Sequence, residues 1–109
     1  MEHRYGKREP LAIDAIAECG SFHRRRVCIR DVSIGGMFVE LPTAGLKPNM
    51  TIRLCFLVTF KRRRRRHRIQ GVIVRVADTG VALTFDYLPV AAQVSLLALL
   101  RDAAAKASA

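Results

Sequence analysis

The chain has 109 residues, half of them hydrophobic, and a formal net charge of +10 from 19 Lys and Arg against 9 Asp and Glu. That is enough for one domain with a small core and too little for two. The charge calls for an anionic partner (nucleotide, nucleic acid, acidic protein or anionic lipid) and says nothing about fold.

Residues 1–9 are polar and read as a mobile arm ahead of a fold that begins at Pro10. Leu11, Ile13, Ala15, Ala17 and Cys19 then alternate with Ala12, Asp14, Ile16 and Glu18, the period of a half-buried strand. Gly20-Ser21 signals a turn. From Arg25 the alternation returns, with Val27 and Ile29 opposite Arg26, Cys28 and Arg30. Asp31 to Gly36 interrupts it, and Met37 to Leu41 resumes it. Residues 42–50 hold two prolines, a glycine and an asparagine and form a loop. Thr51 to Phe60 is the clearest strand, with Ile52, Leu54, Phe56, Val58 and Phe60 on one face. Lys61 to Arg68 reads as a basic connector. Residues 69–76 and 81–87 are two further strands around an Ala77-Asp78-Thr79-Gly80 turn.

After Pro89 the period becomes helical. Val90, Val94, Leu97 and Arg101 share a face, with Leu96, Leu99 and Leu100 beside it, and Pro suits the first turn. Residues 102–109 read as a frayed tail. The expectation is a mainly all-β fold: a six-stranded antiparallel barrel, which leaves no open edge, with a C-terminal helix at one end. Arm, folded part and tail divide as 1–9, 10–101 and 102–109.

Two short motifs carry the chemistry. Arg4-Tyr5-Gly6-Lys7-Arg8 is an Arg-x-x-x-Arg, and Asp31-Val32-Ser33-Ile34-Gly35-Gly36 is an Asp-x-Ser-x-x-Gly. The first spacing is weak by itself, since it recurs at Arg26/Arg30, Arg62/Arg66 and Arg64/Arg68. Only Arg4 and Arg8 stand on an arm before the first strand. Their planar forks match phosphate oxygens or the O6/N7 edge of guanine. The Asp31 carboxylate can accept from a guanine's N1–H and N2–H₂ edge, and the Ser33 hydroxyl can donate or accept. Gly35-Gly36 allows close approach to backbone. The competing reading of the second motif is a turn that closes a hairpin.

In this order, the two motifs resemble those of the PilZ domain. The resemblance takes in the arm, the strand count, the Gly80-Val81 to Phe85 strand and the closing helix. It implies a small β-barrel that binds the bacterial second messenger cyclic di-GMP. By that resemblance Arg4 and Arg8 grip guanine and phosphate, Asp31 and Ser33 hold a guanine edge, and Gly35 and Gly36 let the ligand lie on the barrel. His3, just before the first motif arginine, occupies the position that in this family bears on whether one ligand or a stacked pair binds. The implied role is a receptor that changes conformation with ligand and passes the signal to a partner in motility, exopolysaccharide or biofilm output.

The motif does not account for the basic run that contains Arg62, Arg63, Arg64, Arg65 and Arg66. As a functional feature it fits an acidic or membrane-associated protein partner. As a bland one it is a solvated hairpin tip. A second reading of the whole chain is a basic barrel that binds nucleic acid through residues 61–68 and Arg24-Arg25-Arg26. The run has no interleaved aromatics for base stacking, which disfavours that reading.

Cys19, Cys28 and Cys55 have no Cys-x-x-Cys spacing, and His3, His23 and His67 are scattered, so neither a disulfide framework nor a metal site is expected. No Ser or Cys has a legible His/Asp relay, so no catalysis and no cofactor beyond the ligand are expected. The polar start and the lack of an apolar run of about 18 residues lead to an expected cytoplasmic location. Monomer and dimer both stay open.

Overall fold

The computed structural model describes residues 9–20, 22–33, 35–60 and 62–108. In chain order the elements are β1 (Glu9–Cys19), β2 (Phe22–Val32), β3 (Gly36–Glu40), β4 (Thr51–Phe60), β5 (Arg63–Val76), β6 (Gly80–Tyr87) and α1 (Val90–Ser108). The strands close into an antiparallel barrel in the order β1-β2-β3-β6-β5-β4, with β4 returning to β1. The six-stranded barrel with a C-terminal helix read from sequence is the fold found.

Alternation sets the inside of the barrel. Ile52, Leu54, Phe56 and Val58 of β4 are buried, as are Val27 and Ile29 of β2, Met37 and Val39 of β3, and Val81 and Leu83 of β6. Burial of each large side chain stabilises the fold by about 1.5–3 kcal/mol. The two ends are stopped differently. At one end the 41–50 loop tucks in Leu41 and Leu46 and is stitched to β5 by Asn49 N–H to Ile73 O (2.8 Å) and Ile73 N–H to Met50 O (2.8 Å). At the other end α1 lowers Ala92 and Leu96 onto the core.

Four boundaries differ from the sequence reading. Glu9, assigned to the arm, is already in β1, opposite Val32. Asp31 and Val32 do not break β2, which also starts earlier, at Phe22. The basic connector is not a connector: Arg63 to Arg68 are the first residues of the 14-residue β5. The arginines lack apolar alternation, but β4 pairs with them along their whole length, from Phe60↔Arg63 to Cys55↔Arg68. Arg62 to Arg66 are exposed; from Arg63 on they lie on the part of β5 that runs beyond its ladder with β6, which ends at Gln70↔Tyr87. The β4–β5 turn holds Arg62 at φ 66°, in the left-handed region. Finally, the helical backbone continues to Ser108, beyond Arg101, through an Ala-rich stretch with no Gly or Pro to stop it.

The helix also docks by a different face. Ala92 and Leu96 are buried, with Ser95, Leu99 and Leu100 half-buried beside them. Val90 (75% exposed), Val94 (61%) and Leu97 point away from the barrel. Small Ala92 allows the closer approach, and Ser95 adds a polar tie to the barrel: its Oγ lies 2.8 Å from Nε2 of His67.

His67 is 5% exposed and lies near Phe56, ring centroids 5.8 Å apart. Burial first, and the Arg65 charge second, lower its pKa below the ordinary 6.5. A His with a lowered folded pKa takes up protons more readily when unfolded. Its contribution to stability is therefore complete above about pH 6.5 and lost as pH falls through the lower folded value. Thermal melts from pH 8 to pH 5 are expected to show falling stability at the acid end, and His67→Gln is expected to flatten that slope. A wild-type profile identical to that of the variant would remove His67 from the account.

Candidate functional site

The Asp-x-Ser-x-x-Gly motif lies where β2 hands over to β3, at the α1 end of the barrel. Asp31 is half-buried in the last part of β2, between Pro10 of β1 and Phe38 of β3. Ladder shifts at Pro10/Ile13 on one side and Ile29/Asp31 on the other set its orientation apart from the regular alternation. Ser33 closes the turn. Its N–H donates to Gly36 O at 2.8 Å, and its hydroxyl donates to the same oxygen at 3.3 Å. Gly35 is exposed at the apex, and its carbonyl accepts from Phe85 N–H at 3.1 Å. The turn is therefore held at its base by Ser33 and tied sideways to β6.

The two glycines have different reasons. Gly36 is buried, and a Cβ there would stand 2.0 Å from the backbone oxygen of Leu83. Its missing Cβ lets β3 approach β6. Gly35 remains a position where a ligand could meet backbone. The competing turn reading of Ser33 and the ligand reading share the same geometry: the hydroxyl that closes the turn lies at the rim.

Arg4, Arg8 and His3 lie outside the described residues. What the structure does give is the path of the chain beside them. Glu9 pairs with Val32 and Pro10 with Asp31, so the segment carrying Arg-x-x-x-Arg joins the barrel next to the Asp-x-Ser-x-x-Gly turn. Strand direction puts the β4–β5 hairpin with Arg62 to Arg66 at the same end of the barrel, on strands that are not neighbours of β2. The basic run is thus a separate surface from the motif turn.

Two clefts, of about 840 and 320 Å³, lie along the seam between β1 and β4, and neither is lined by Asp31, Ser33 or Gly36. Arg30 and Glu40 form an exposed cross-strand pair at 3.7 Å near the motif turn, of the kind that contributes little in water. Among the described residues, no three His, Cys, Asp or Glu side chains are placed to hold a metal. No helix among them is long and apolar enough to cross a membrane.

The family model for the PilZ domain matches residues 2–102. The chain belongs to the PilZ family, a family of cyclic di-GMP receptors. Among solved structures, the PilZ chain is similar to the Bacillus subtilis inhibitor of motility MotI/DgrA, with TM-score 0.78 and 16% identity over 94% of this chain. It spans about half of that protein, 52% of its length. It is also similar to the PilZ domain of CeSA from a cellulose-synthesizing bacterium, with TM-score 0.64 and 15% identity, covering 85% of this chain and 93% of that one. At such identities these likenesses speak to the fold. No curated protein sequence matches the chain.

Sequence reasoning missed two residues that matter here. His67 and Ser95 fix the helix over the rim end of the barrel, and neither carries a motif. A lone histidine at an inward position of a strand was the only available signal, and it needs the barrel around it to be interpreted.

Proposed function

We propose that this PilZ chain is a cyclic di-GMP receptor that holds its ligand between Arg4 and Arg8 on one side and the Asp31–Gly36 turn on the other. The observation that supports this reading is the Glu9↔Val32 and Pro10↔Asp31 pairing, which puts the chain just after the first motif alongside the second. The turn is one side of the site. The segment before Glu9 supplies the other, with two guanidinium forks for phosphate oxygens and guanine O6/N7. Asp31 accepts from the N1–H and N2–H₂ edge of a guanine, Ser33 stiffens the turn beneath it, and Gly35 admits the base to backbone contact. His3 precedes the first clamp arginine and bears on whether one or two ligands stack there.

Closing the segment over the ligand changes the surface at the helix end of the barrel, and that change is the signal. The receptor acts by binding and not by catalysis, and its action is in the cytoplasm. Similarity to an inhibitor of motility and to a PilZ domain of a cellulose-synthesizing bacterium supports outputs in motility or exopolysaccharide production.

The test is calorimetric titration of the full chain with cyclic di-GMP beside GTP, cyclic GMP and cyclic di-AMP. Saturable binding of cyclic di-GMP alone is expected. Equal heats for all four nucleotides, or none for any, would overturn the reading.

A further inference from the structure

The outer wall of the barrel has chemistry that the nucleotide site does not use. β2, β1, β4 and β5 are neighbours in the sheet, and ladder pairing sets Arg26, Ile16, Cys55 and Arg68 in one row across them. All four face outward, because Val27, Ala17, Phe56 and His67, next to them in sequence, are buried. Arg26 and Arg68 are therefore three interstrand spacings apart along the sheet, about 14 Å. Each begins a wall of two arginines, and the walls run from this row in opposite directions. On β2 the second is Arg24, towards the Glu18↔Arg53 pair; on β5 it is Arg66, opposite Leu57. All four arginines are exposed and line one cleft of about 840 Å³.

The floor between the walls is the β1·β4 ladder, whose backbone is already paired from Ala15↔Phe56 to Cys19↔Ile52. Its outward side chains Ile16 and Cys55 are half-buried, and Leu57, one residue past the ladder on the Arg66 side, is 43% exposed. Two carboxylates, Asp14 and Glu18, stand on β1 either side of Ile16, and Glu18 is opposite Arg53. The face is thus apolar along its middle and cationic on both flanks, with the two flanks offset along the seam.

We propose that this face docks an acidic amphipathic helix of a partner protein, laid along the β1·β4 seam. A helix is about 10–12 Å across with its side chains, which fits between walls about 14 Å apart. From Arg24 to Arg66 the walls span four residues along the strands, about 13 Å, the length of about nine helical residues. The apolar stripe of the helix covers Ile16, Cys55 and Leu57. Its carboxylates meet Arg24 and Arg26 on one flank towards one end, and Arg66 and Arg68 on the other flank towards the other end. Other occupants match fewer of these features. An added strand finds no free edge in this ladder. A nucleic acid would lay phosphates across Asp14 and Glu18 and leave the apolar floor without a contact. A bilayer is flat and touches the tips of the walls without reaching the floor. A second copy carries the same net charge of +10, and the chain's own first residues include Arg4, Lys7 and Arg8, so both are repelled.

The probe is a two-heptad peptide with leucine at the a and d positions and glutamate at e and g, followed by fluorescein anisotropy and by circular dichroism with the full chain. Comparators are a shuffled peptide of the same composition, a 20-base-pair duplex DNA, and phosphatidylcholine vesicles with 30% phosphatidylglycerol. The amphipathic peptide is expected to bind and to gain helicity, and the shuffled one to bind about tenfold more weakly or not at all. Arg24→Glu/Arg26→Glu and Arg66→Glu/Arg68→Glu should each weaken binding by about tenfold or more, and so should Leu57→Glu on the floor. Arg63→Glu/Arg64→Glu makes the same change in net charge on exposed residues that do not line the cleft, and should weaken it by about threefold at most. All the substituted residues are exposed, so thermal melts of these variants should match wild type. Failure of the amphipathic peptide to bind, equal binding of the shuffled one, insensitivity to both wall substitutions, an equal loss with the Arg63/Arg64 pair, or tighter binding of DNA or vesicles would overturn the proposal. None of these residues belongs to the nucleotide site, so either outcome leaves the cyclic di-GMP reading to its own titration.

Discussion

Gly36→Ala and Gly80→Ala are each expected to destabilise the fold by about 3 kcal/mol or more, a drop in melting temperature of about 10–20 °C. The strand between them, β3, has only five residues, and glycines serve both ends of its contact with β6. Gly36 pairs with Thr84, and Glu40 pairs with Gly80. A Cβ on Gly36 would meet Leu83 O at 2.0 Å, and one on Gly80 would meet Val39 O at 2.1 Å. Both obstacles are backbone, so no rotamer change relieves them. The added methyl must push β3 off β6, beside the motif turn for Gly36 and at the opposite end of β3 for Gly80. Gly35→Ala is the control. Gly35 is exposed, so an alanine there should melt within a few degrees of wild type. Urea or thermal unfolding of the three variants decides it. A Gly36→Ala protein as stable as Gly35→Ala would show that the β3·β6 approach is looser than described. The comparison also separates two reasons for losing ligand: Gly36→Ala loses it with the fold, whereas an effect of Gly35→Ala on binding is local.

What the sequence disclosed followed from how local each cause was. The inward set Ile52, Leu54, Phe56 and Val58 was legible because alternation is written in the strand itself. The 42–50 loop was legible from its Pro, Gly and Asn. The first part of β5 was not, because nothing in a run of arginines alternates; its strand character comes from β4, paired across the hairpin. The docking face of α1 was ambiguous for the opposite reason. Val90, Val94, Leu96, Leu97, Leu99 and Leu100 cover most of the helix circumference, and only the barrel selects Leu96 over Val94. At the site, Asp31, Ser33 and Gly35 were found together because they are contiguous. The purpose of Gly36 was hidden in a contact with Leu83, far along the chain. The meeting of Glu9 with Val32 was equally hidden, since it depends on ladder shifts that no period reports.

Arg4→Ala and Arg8→Ala are each expected to weaken cyclic di-GMP binding by at least about a hundredfold, about 2.7 kcal/mol, with the melting curve of the free protein unchanged. The barrel provides a turn with one carboxylate, one hydroxyl and one exposed glycine, and no cation of the motif turn itself. A ligand with two phosphates cannot be held on Asp31 and Ser33 alone; the carboxylate would repel it. The compensating charge has to come from a segment that joins the barrel there, and Glu9, opposite Val32, is where one joins. Arg8 is one peptide bond away, a Cα step of 3.8 Å. Each guanidinium fork makes charge-assisted hydrogen bonds of about 1.5–3 kcal/mol apiece, so the loss of one fork is enough for the stated effect. Asp31→Asn should act differently. It relieves repulsion of phosphate but replaces an acceptor pair with an amide, so discrimination of cyclic di-GMP against cyclic di-AMP should fall more than total affinity. Arg63→Ala/Arg64→Ala should leave the affinity alone, because those residues are on the β4–β5 hairpin and face other solvent. Calorimetry on the four proteins reads all of this. Affinity retained by both Arg4→Ala and Arg8→Ala, or lost with the hairpin pair, would move the phosphate-binding charge from the first residues to the basic hairpin and separate the two motifs again.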